Sequence, residues 1–275
     1  MEIPRIPLGD WIESGLTWLT SEYSLVTRGI SRFTQTGIDF LNDSLMWLPE
    51  WALLGLIALL CWKLAGVRLA IGAVAGLALI WNLDLWNPMI ETLTLVVFAT
   101  MVAVVIALPV GIAAALSNRL YRVIMPILDF MQTMPAFVYL IPAIPFFGIG
   151  SVSAIFATVI FSMPPAIRFT TLGIRQVPVE LIEAADAYGA TRGQKLFKVQ
   201  LPLSLPTVMA GINQTIMLAL SMAVIAAMIG ADGLGSEVWR AIQRLRPGDG
   251  FEAGIAVVIL AMLLDRLTQS LRKTR

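Results

Sequence analysis

An all-α polytopic membrane protein is the fold class this sequence predicts, and three observations predict it. The 275 residues are 58% hydrophobic and only 13% charged, against about 25% charged in a soluble domain. Apolar runs near the length of a bilayer-crossing helix recur along the chain. A polar, charged stretch at 172–206 lies between long apolar segments. The mean hydropathy of +0.82 agrees.

The same composition excludes several classes of chemistry. There is no histidine, and the single cysteine, Cys61, sits in an apolar run. Histidine catalysis, the usual His/Cys zinc sites and an intrachain disulfide are therefore excluded, and no metal site is expected. A net charge of +1 gives no footing for nucleic acid. The stretch Gly189-Ala190-Thr191-Arg192-Gly193-Gln194-Lys195 lacks the spacing and the preceding strand of a nucleotide-binding phosphate loop. No cofactor is expected on this chain, and it does not hydrolyse ATP alone.

Taken in order, Met1-Glu2-Ile3-Pro4-Arg5 lacks the basic region and apolar core of a cleavable signal, so the N-terminus reads as mature protein. From Ile12, the residues Leu16, Leu19, Tyr23, Val26, Ile30 and Phe33 recur in steps of four and three along one helical face. Asp10 is the expected cap, with Glu13 at the third helical position. Glu22 and Arg28 interrupt this helix, which is expected to lie on the membrane surface or to pack against a bundle. A soluble helix packed on a partner domain is the alternative. Residues 1–45 form an external amphipathic segment in this reading, and 46–275 form the transmembrane domain.

Seven spans are expected, at about 46–62, 69–83, 92–116, 123–147, 152–171, 207–230 and 252–268. The first two are short and separated only by Lys63 to Arg68, which predicts a tight hairpin. Pro126, Pro135, Pro142 and Pro145 make the fourth irregular, which a membrane tolerates where protein or a water-lined cavity satisfies the freed carbonyls.

Positive residues favour the cytoplasm, so the lysines and arginines test the orientation. With the N-terminus outside, 13 of 19 fall inside: Lys63, Arg68, Arg119, Arg122, Arg168, Arg175, Arg192, Lys195, Lys198, Arg266, Arg272, Lys273 and Arg275. The acids agree, including Glu2, Asp10, Glu13, Glu22, Asp39, Asp43 and Glu50 before the first span. The C-terminus and the 172–206 loop are then cytoplasmic.

Within that loop, Pro178 suits a first helical turn, and Glu180 and Glu183 lie near its positive end. A short helix over about 179–188 is expected. Gly189 supplies the left-handed residue that ends it, and Thr191 with Gln194 makes a capping box for a second helix. Leu201-Pro202 and Leu205-Pro206 are expected to stop that helix before the next apolar run.

The spacing Glu183-Ala184-Ala185, three residues, Gly189, nine residues, Val199-Gln200-Leu201-Pro202 resembles the cytoplasmic coupling loop of permease subunits in binding-protein-dependent ABC importers. Segments Asp129 to Pro142, Met163 to Arg168, Ile229 to Gly235 and Ile259 to Gln269 resemble the glycine betaine/proline betaine, ProW-like osmoprotectant branch, over about residues 90–270. The resemblance implies a type I ABC importer transmembrane domain in the bacterial cytoplasmic (inner) membrane. It also implies a homodimer, two cytoplasmic ATPase subunits holding ATP and Mg, and an external binding protein that does most of the substrate selection. Glu183 is the implied polar anchor of the docking helix, Ala184 and Ala185 allow close approach, Gly189 makes the turn, and Leu201-Pro202 closes the motif. For the alanines, plain helix propensity is an equal explanation.

Polar groups inside a membrane default to the bundle interior, which selects Asp129, Gln132, Thr133, Ser162, Asn213, Gln214 and Ser221. Phe137, Tyr139 and Phe161 offer aromatic faces to a quaternary ammonium. Gln132, Thr133, Phe137, Tyr139, Phe161, Ser162, Asn213 and Gln214 are thus the candidate translocation path. Helix-to-helix bonding is the competing reading of Asn213 and Gln214, pairing with Arg122 or Arg119 that of Asp129, and core packing that of the aromatics. The Gly230 to Gly235 segment reads as a gate, a binding-protein contact or a flexible external turn. A secondary transporter is the second functional class and a membrane scaffold the third, although the related broken halves of a secondary carrier are not evident.

Overall fold

The computed structural model describes residues 7–273, which are helical with no strand among them. Met1 to Arg5 and Arg275, which entered the signal and charge readings, lie outside the described residues, as do the side chains of Arg272 and Lys273.

The N-terminal segment is two helices, α1 (Leu8–Glu22) and α2 (Ser24–Met46), broken at Tyr23. Asp10 does not cap α1. Pro7 takes that position and no side chain caps the helix, so Asp10 falls inside the first turn, still near the positive helix end. The expected apolar stripe is largely uncovered: Ile12, Leu19, Tyr23, Val26, Ile30 and Phe33 are 37–71% exposed. The adjacent small polar stripe turns inward instead, with Thr20, Ser24, Thr27 and Ser31 half-buried and Thr34 buried. Small residues let helices approach closely, which drives association where the surroundings are as apolar as the side chains. The apolar stripe is left uncovered.

A 97° bend separates α2 from α3 (Glu50–Ala65). Gly66, at φ +92°, then turns the chain into α4 (Val67–Asn82), and the expected hairpin is present. Each arm has 16 residues and is about 24 Å long, shorter than a hydrocarbon core of about 30 Å. α5 (Trp86–Leu116) runs 31 residues and is long and apolar enough to cross unaided. Gly37 of α2 lies against the Phe98 ring of α5, where a Cβ would approach to 2.3 Å.

The fourth expected span is two pieces. α6 (Asn118–Thr133) and the segment from a 3-10 turn (Ala136–Tyr139) through α7 (Leu140–Phe147) meet at 111°. Pro135 causes the break. It forces Met134 into an extended conformation (ψ 134°), and without an N–H it frees the carbonyl of Met131. The Tyr139 hydroxyl donates to that carbonyl.

α8 (Ser151–Arg175) crosses the bundle, followed by the short α9 (Val179–Ala187) and α10 (Arg192–Lys195). α11 (Leu201–Ala226) then crosses back, and after a 3-10 turn (Ala227–Ile229) come α12 (Leu234–Gln243) and α13 (Pro247–Lys273). The Leu-Pro pairs do not stop the helix as expected; residues 192–229 form one continuous rod of 38 residues. Pro202 brings no N–H and its ring would strike the Lys198 carbonyl in a regular helix. A π turn at Leu196–Gln200 widens the coil, and the Leu201 N–H bonds the Leu196 carbonyl, five residues back.

α5, α8 and α11 form the centre. Gly111 of α5 abuts Thr170 of α8, and Gly211 of α11 abuts Phe169, where added Cβ atoms would approach to 2.7 and 2.6 Å. Side-chain bonds reinforce the contacts: Thr171 donates to the Gly111 carbonyl at 3.0 Å. Asn213 of α11 donates to Asp265 of α13 at 2.9 Å.

Candidate functional site

The 172–206 loop is a rigid helix-turn-helix standing off one end of the bundle. α9 ends in two bonds characteristic of a left-handed cap: Gly189 N–H to Asp186 O and Ala190 N–H to Ala185 O, both 2.9 Å. Gly189 has φ +74°, a conformation that disfavours side chains with a Cβ. The Thr191–Gln194 capping box closes in both directions, at 3.3 and 2.8 Å. Lys195 reaches back from α10 to both oxygens of Asp186, at 2.6 and 2.8 Å. This tie was not read from the sequence, although a lysine nine residues from an acid across a two-helix turn is a usable signal.

Glu183 and Ala184 are exposed and Ala185 is half-buried. Beside them Val179, Leu181, Tyr188 and Phe197 expose large apolar surface, Tyr188 to 93%. At 100° per residue, Ala184 falls on the face of Leu181 and Tyr188 while Glu183 falls beside Val179, and exposed apolar surface of this kind suits protein docking. Leu201 and Pro202 belong instead to the rod that carries this surface.

Both flanks of the loop are anchored. Arg175, at the end of α8, donates to the Ala114 carbonyl at 3.1 Å and to Asn118 Oδ1 at 2.9 Å, and lies 4.1 Å from the Tyr121 ring centre.

A cavity of about 370 Å³ lies between α6, α8 and α11. Three expected path residues, Gln132, Phe161 and Gln214, meet there, joined by Arg168, Phe169 and Leu218. Arg168 pairs with Asp129; the Arg122 and Arg119 partners considered from the sequence are not used. Arg168 and Phe169 were missed as cavity residues, although Phe161, Pro165 and Phe169 at steps of four mark one face of α8.

The other expected path residues lie elsewhere. Thr133 is exposed and donates to the Phe130 carbonyl at 2.8 Å, and Phe137 is 57% exposed outside the cavity lining. Tyr139 is buried, and its ring meets Phe161 edge-on at 5.6 Å between centres, so it supports the cavity wall from behind. Ser162 is wholly buried with its hydroxyl unpartnered. Asn213 bonds helix to helix: besides Asp265 it accepts from Thr268. The Gly230 to Gly235 segment is a packed turn. Ala231 and Leu234 are 1% and 0% exposed, and the Leu234 N–H donates to Thr92 Oγ1 at 2.7 Å.

A helical bundle with a central three-helix contact, a broken span beside a polar cavity and a capped helix-turn-helix loop at one end has the build of a membrane permease. Residues 107–273 match the family described as "Binding-protein-dependent transport system inner membrane component", and the chain belongs to it. It is 49% identical to the glycine betaine transport system permease protein OpuAB of Bacillus subtilis, over 98% of this chain and 96% of that one. Against the glycine betaine/carnitine transport permease protein GbuB of Listeria monocytogenes the identity is 51%, over 98% and 97%. The glycine betaine/proline betaine permease ProW of Escherichia coli is 45% identical over 96% of this chain and 75% of its own length.

The inward-facing MetNI methionine ABC transporter matches the fold with a TM-score of 0.63 at 25% identity, covering 67% of this chain and 92% of that chain. The fold is that of a type I ABC importer transmembrane domain. The chain is an inner-membrane transport subunit, not an enzyme, and it works with an ATPase and a substrate-binding protein.

Proposed function

We propose that this chain forms the translocation path for glycine betaine or a related methylated ammonium osmolyte. The observation that carries the reading is near-full-length similarity to permeases named for glycine betaine transport. The cavity chemistry is compatible with it. Phe161 and Phe169 offer ring faces to a quaternary ammonium, and Arg168 offers a guanidinium to a carboxylate. Gln132 and Gln214 supply neutral hydrogen bonds at its rim. Such contacts suit passage of a zwitterion rather than tight capture.

In this mechanism two copies of the chain pair across the membrane and two ATPase subunits, which hold ATP and Mg, dock on α9 of each copy. Glu183, Ala184 and Ala185 lie in the contact, and Gly189 sets its angle. Closure of the ATPases brings the docking helices together, and the rigid ties of Arg175 and Lys195 pass the movement to α8 and the rod. The bundle then switches between inward-open and outward-open states. The N-terminus and residues 1–45 lie outside, and the loop and C-terminus lie in the cytoplasm.

Reconstitution of the chain with its ATPase in vesicles, with and without the binding protein, tests the reading. ATP-driven betaine uptake is expected only when the binding protein is present. Robust uptake without it rejects the importer mechanism, and uptake driven by a sodium or proton gradient without ATP points to secondary transport.

A further inference from the structure

Beside the turn of the α3–α4 hairpin, a cavity of about 500 Å³ opens between the hairpin and the C-terminal end of α13. Arg68 of α4 and Arg266 of α13 both line it, and no aspartate or glutamate is among its lining residues. Neither arginine forms an ion pair among the described residues. Asp265, the residue before Arg266, is taken up by Asn213 and Gln269, at 2.9 and 2.8 Å. The first turn of α4 reaches the same opening through Arg68 and Leu69, and no side chain caps it. Its first N–H groups lack partners inside the helix and form its positive end. Two unneutralised guanidinium groups and an uncapped helix start thus converge from two elements on one opening, a donor set for an anion.

The surface beyond the arginines narrows the anion to a lipid. On α13, Ile255, Val258 and Met262 are 48–56% exposed and recur in steps of three and four, and Arg266 comes next on the same line. On α4, Ile71 and Val74 are 65% and 41% exposed and follow Arg68 in steps of three. The two helices adjoin closely, since a Cβ on Gly76 of α4 would approach Ile259 of α13 to 2.6 Å. Each arginine therefore stands at the end of an uncovered apolar stripe, which matches a phospholipid with its phosphate at the arginines and its acyl chains along the stripes. A free phosphate would use only the polar end.

Charge narrows it again. A zwitterionic headgroup would bring its own ammonium against two guanidinium groups, whereas a headgroup of net negative charge would not. The planar fork of arginine also matches phosphate oxygens better than a point charge does. The hairpin gains most from such a ligand, because its two 16-residue arms fall short of a hydrocarbon core of about 30 Å and a phosphate held at the turn anchors it to the headgroup region. We propose that this cavity binds the phosphate of an anionic glycerophospholipid between Arg68 and Arg266, and that the lipid fastens the α3–α4 hairpin to α13. The proposal does not depend on which solute the chain transports.

Hydrogen exchange on the full chain in nanodiscs tests it. Phosphatidylcholine is replaced stepwise by phosphatidylglycerol at constant ionic strength, and exchange is followed at residues 64–70, which hold the hairpin turn and the start of α4. Saturable slowing is expected as phosphatidylglycerol is added, and inorganic phosphate added to pure phosphatidylcholine discs is expected not to reproduce it. Arg68→Gln and Arg266→Gln, at exposed positions that the fold tolerates, are each expected to raise the phosphatidylglycerol fraction needed for half the effect about fivefold or more. Arg119→Gln, which removes an exposed arginine outside the cavity, is expected to leave that fraction unchanged. No slowing by phosphatidylglycerol overturns the proposal, as does a midpoint unmoved in both cavity variants. An equal effect of inorganic phosphate would make the ligand a free anion, and an equal shift in Arg119→Gln would reduce the effect to general surface charge; either result also overturns it.

Discussion

Gly189 and Glu183 act at the scale of single residues, and their effects are separable. At φ +74° the Gly189 N–H bonds the Asp186 carbonyl. Gly189→Pro removes that donor and fixes φ near about −65°, so the angle between α9 and α10 is lost. Glu183→Lys reverses the charge on an exposed docking face without touching the fold. Both variants are expected to insert normally while substrate-stimulated ATPase activity and uptake fall together by about tenfold or more, a change of about 1.4 kcal/mol. Normal stimulation and uptake in both would refute the docking assignment. Phe161 is a different case, because its ring lines the cavity and rests on Tyr139. A cation–ring contact of about 0.5–2 kcal/mol predicts that Phe161→Ala raises the KM for uptake about two- to thirtyfold, while Phe161→Trp keeps it low. Equal KM values for Ala and Trp would remove the ring from the path.

Between elements, the π turn at Leu196–Gln200 is the joint by which the loop meets the rod. It exists because Pro202 leaves its own donor position empty. Pro202→Ala restores an N–H and removes the ring, and the turn is expected to regularise to α geometry. One residue fewer in the wide turn rotates the loop by about 100° relative to α11. Transport is expected to uncouple without loss of thermal stability, because an interior proline is removed. Distances between spin labels on α9 and α11 would register the rotation; unchanged distances would show that the π turn does not depend on Pro202. The loop's own helices and caps were legible in the sequence because Thr191, Gln194 and Gly189 act over three or four residues. The joint was not, since the Leu-Pro pairs announce a disturbance but not whether the helix stops or widens. Pro135 likewise marked the irregular fourth span but not its 111° bend, which depends on Tyr139 reaching Met131. For α1 and α2 the apolar period was legible but its destination was not. In a bilayer an apolar stripe has two suitable partners, and the small polar stripe takes the bundle. The cavity was half legible: Gln132, Phe161 and Gln214 were found as polar or aromatic groups in apolar runs, whereas Arg168 had been counted as an interfacial charge.

Across the whole molecule, the asymmetry of charge and the lengths of the central helices set one direction. The 38-residue rod is about 57 Å long, well beyond a hydrocarbon core of about 30 Å, so it is long enough to hold the 172–206 loop clear of a bilayer. Of 19 lysines and arginines, 13 lie on the side of that loop when the seven apolar segments alternate, and positive residues favour the cytoplasm. The short α3–α4 hairpin and the bent α6–α7 pair matter to this count, because each must return the chain to the proper side. Single cysteines in a Cys61-free background test the arrangement. Ser14→Cys is expected to react with an impermeant maleimide added outside intact cells. Tyr188→Cys, at a position 93% exposed, and Thr274→Cys are expected to react only after permeabilisation. Labelling of Tyr188→Cys from outside would invert the whole orientation. Outside labelling of both Ser14→Cys and Thr274→Cys, with Tyr188→Cys protected, would instead leave an even number of crossings and remove one of the two irregular pairs from the list of spans.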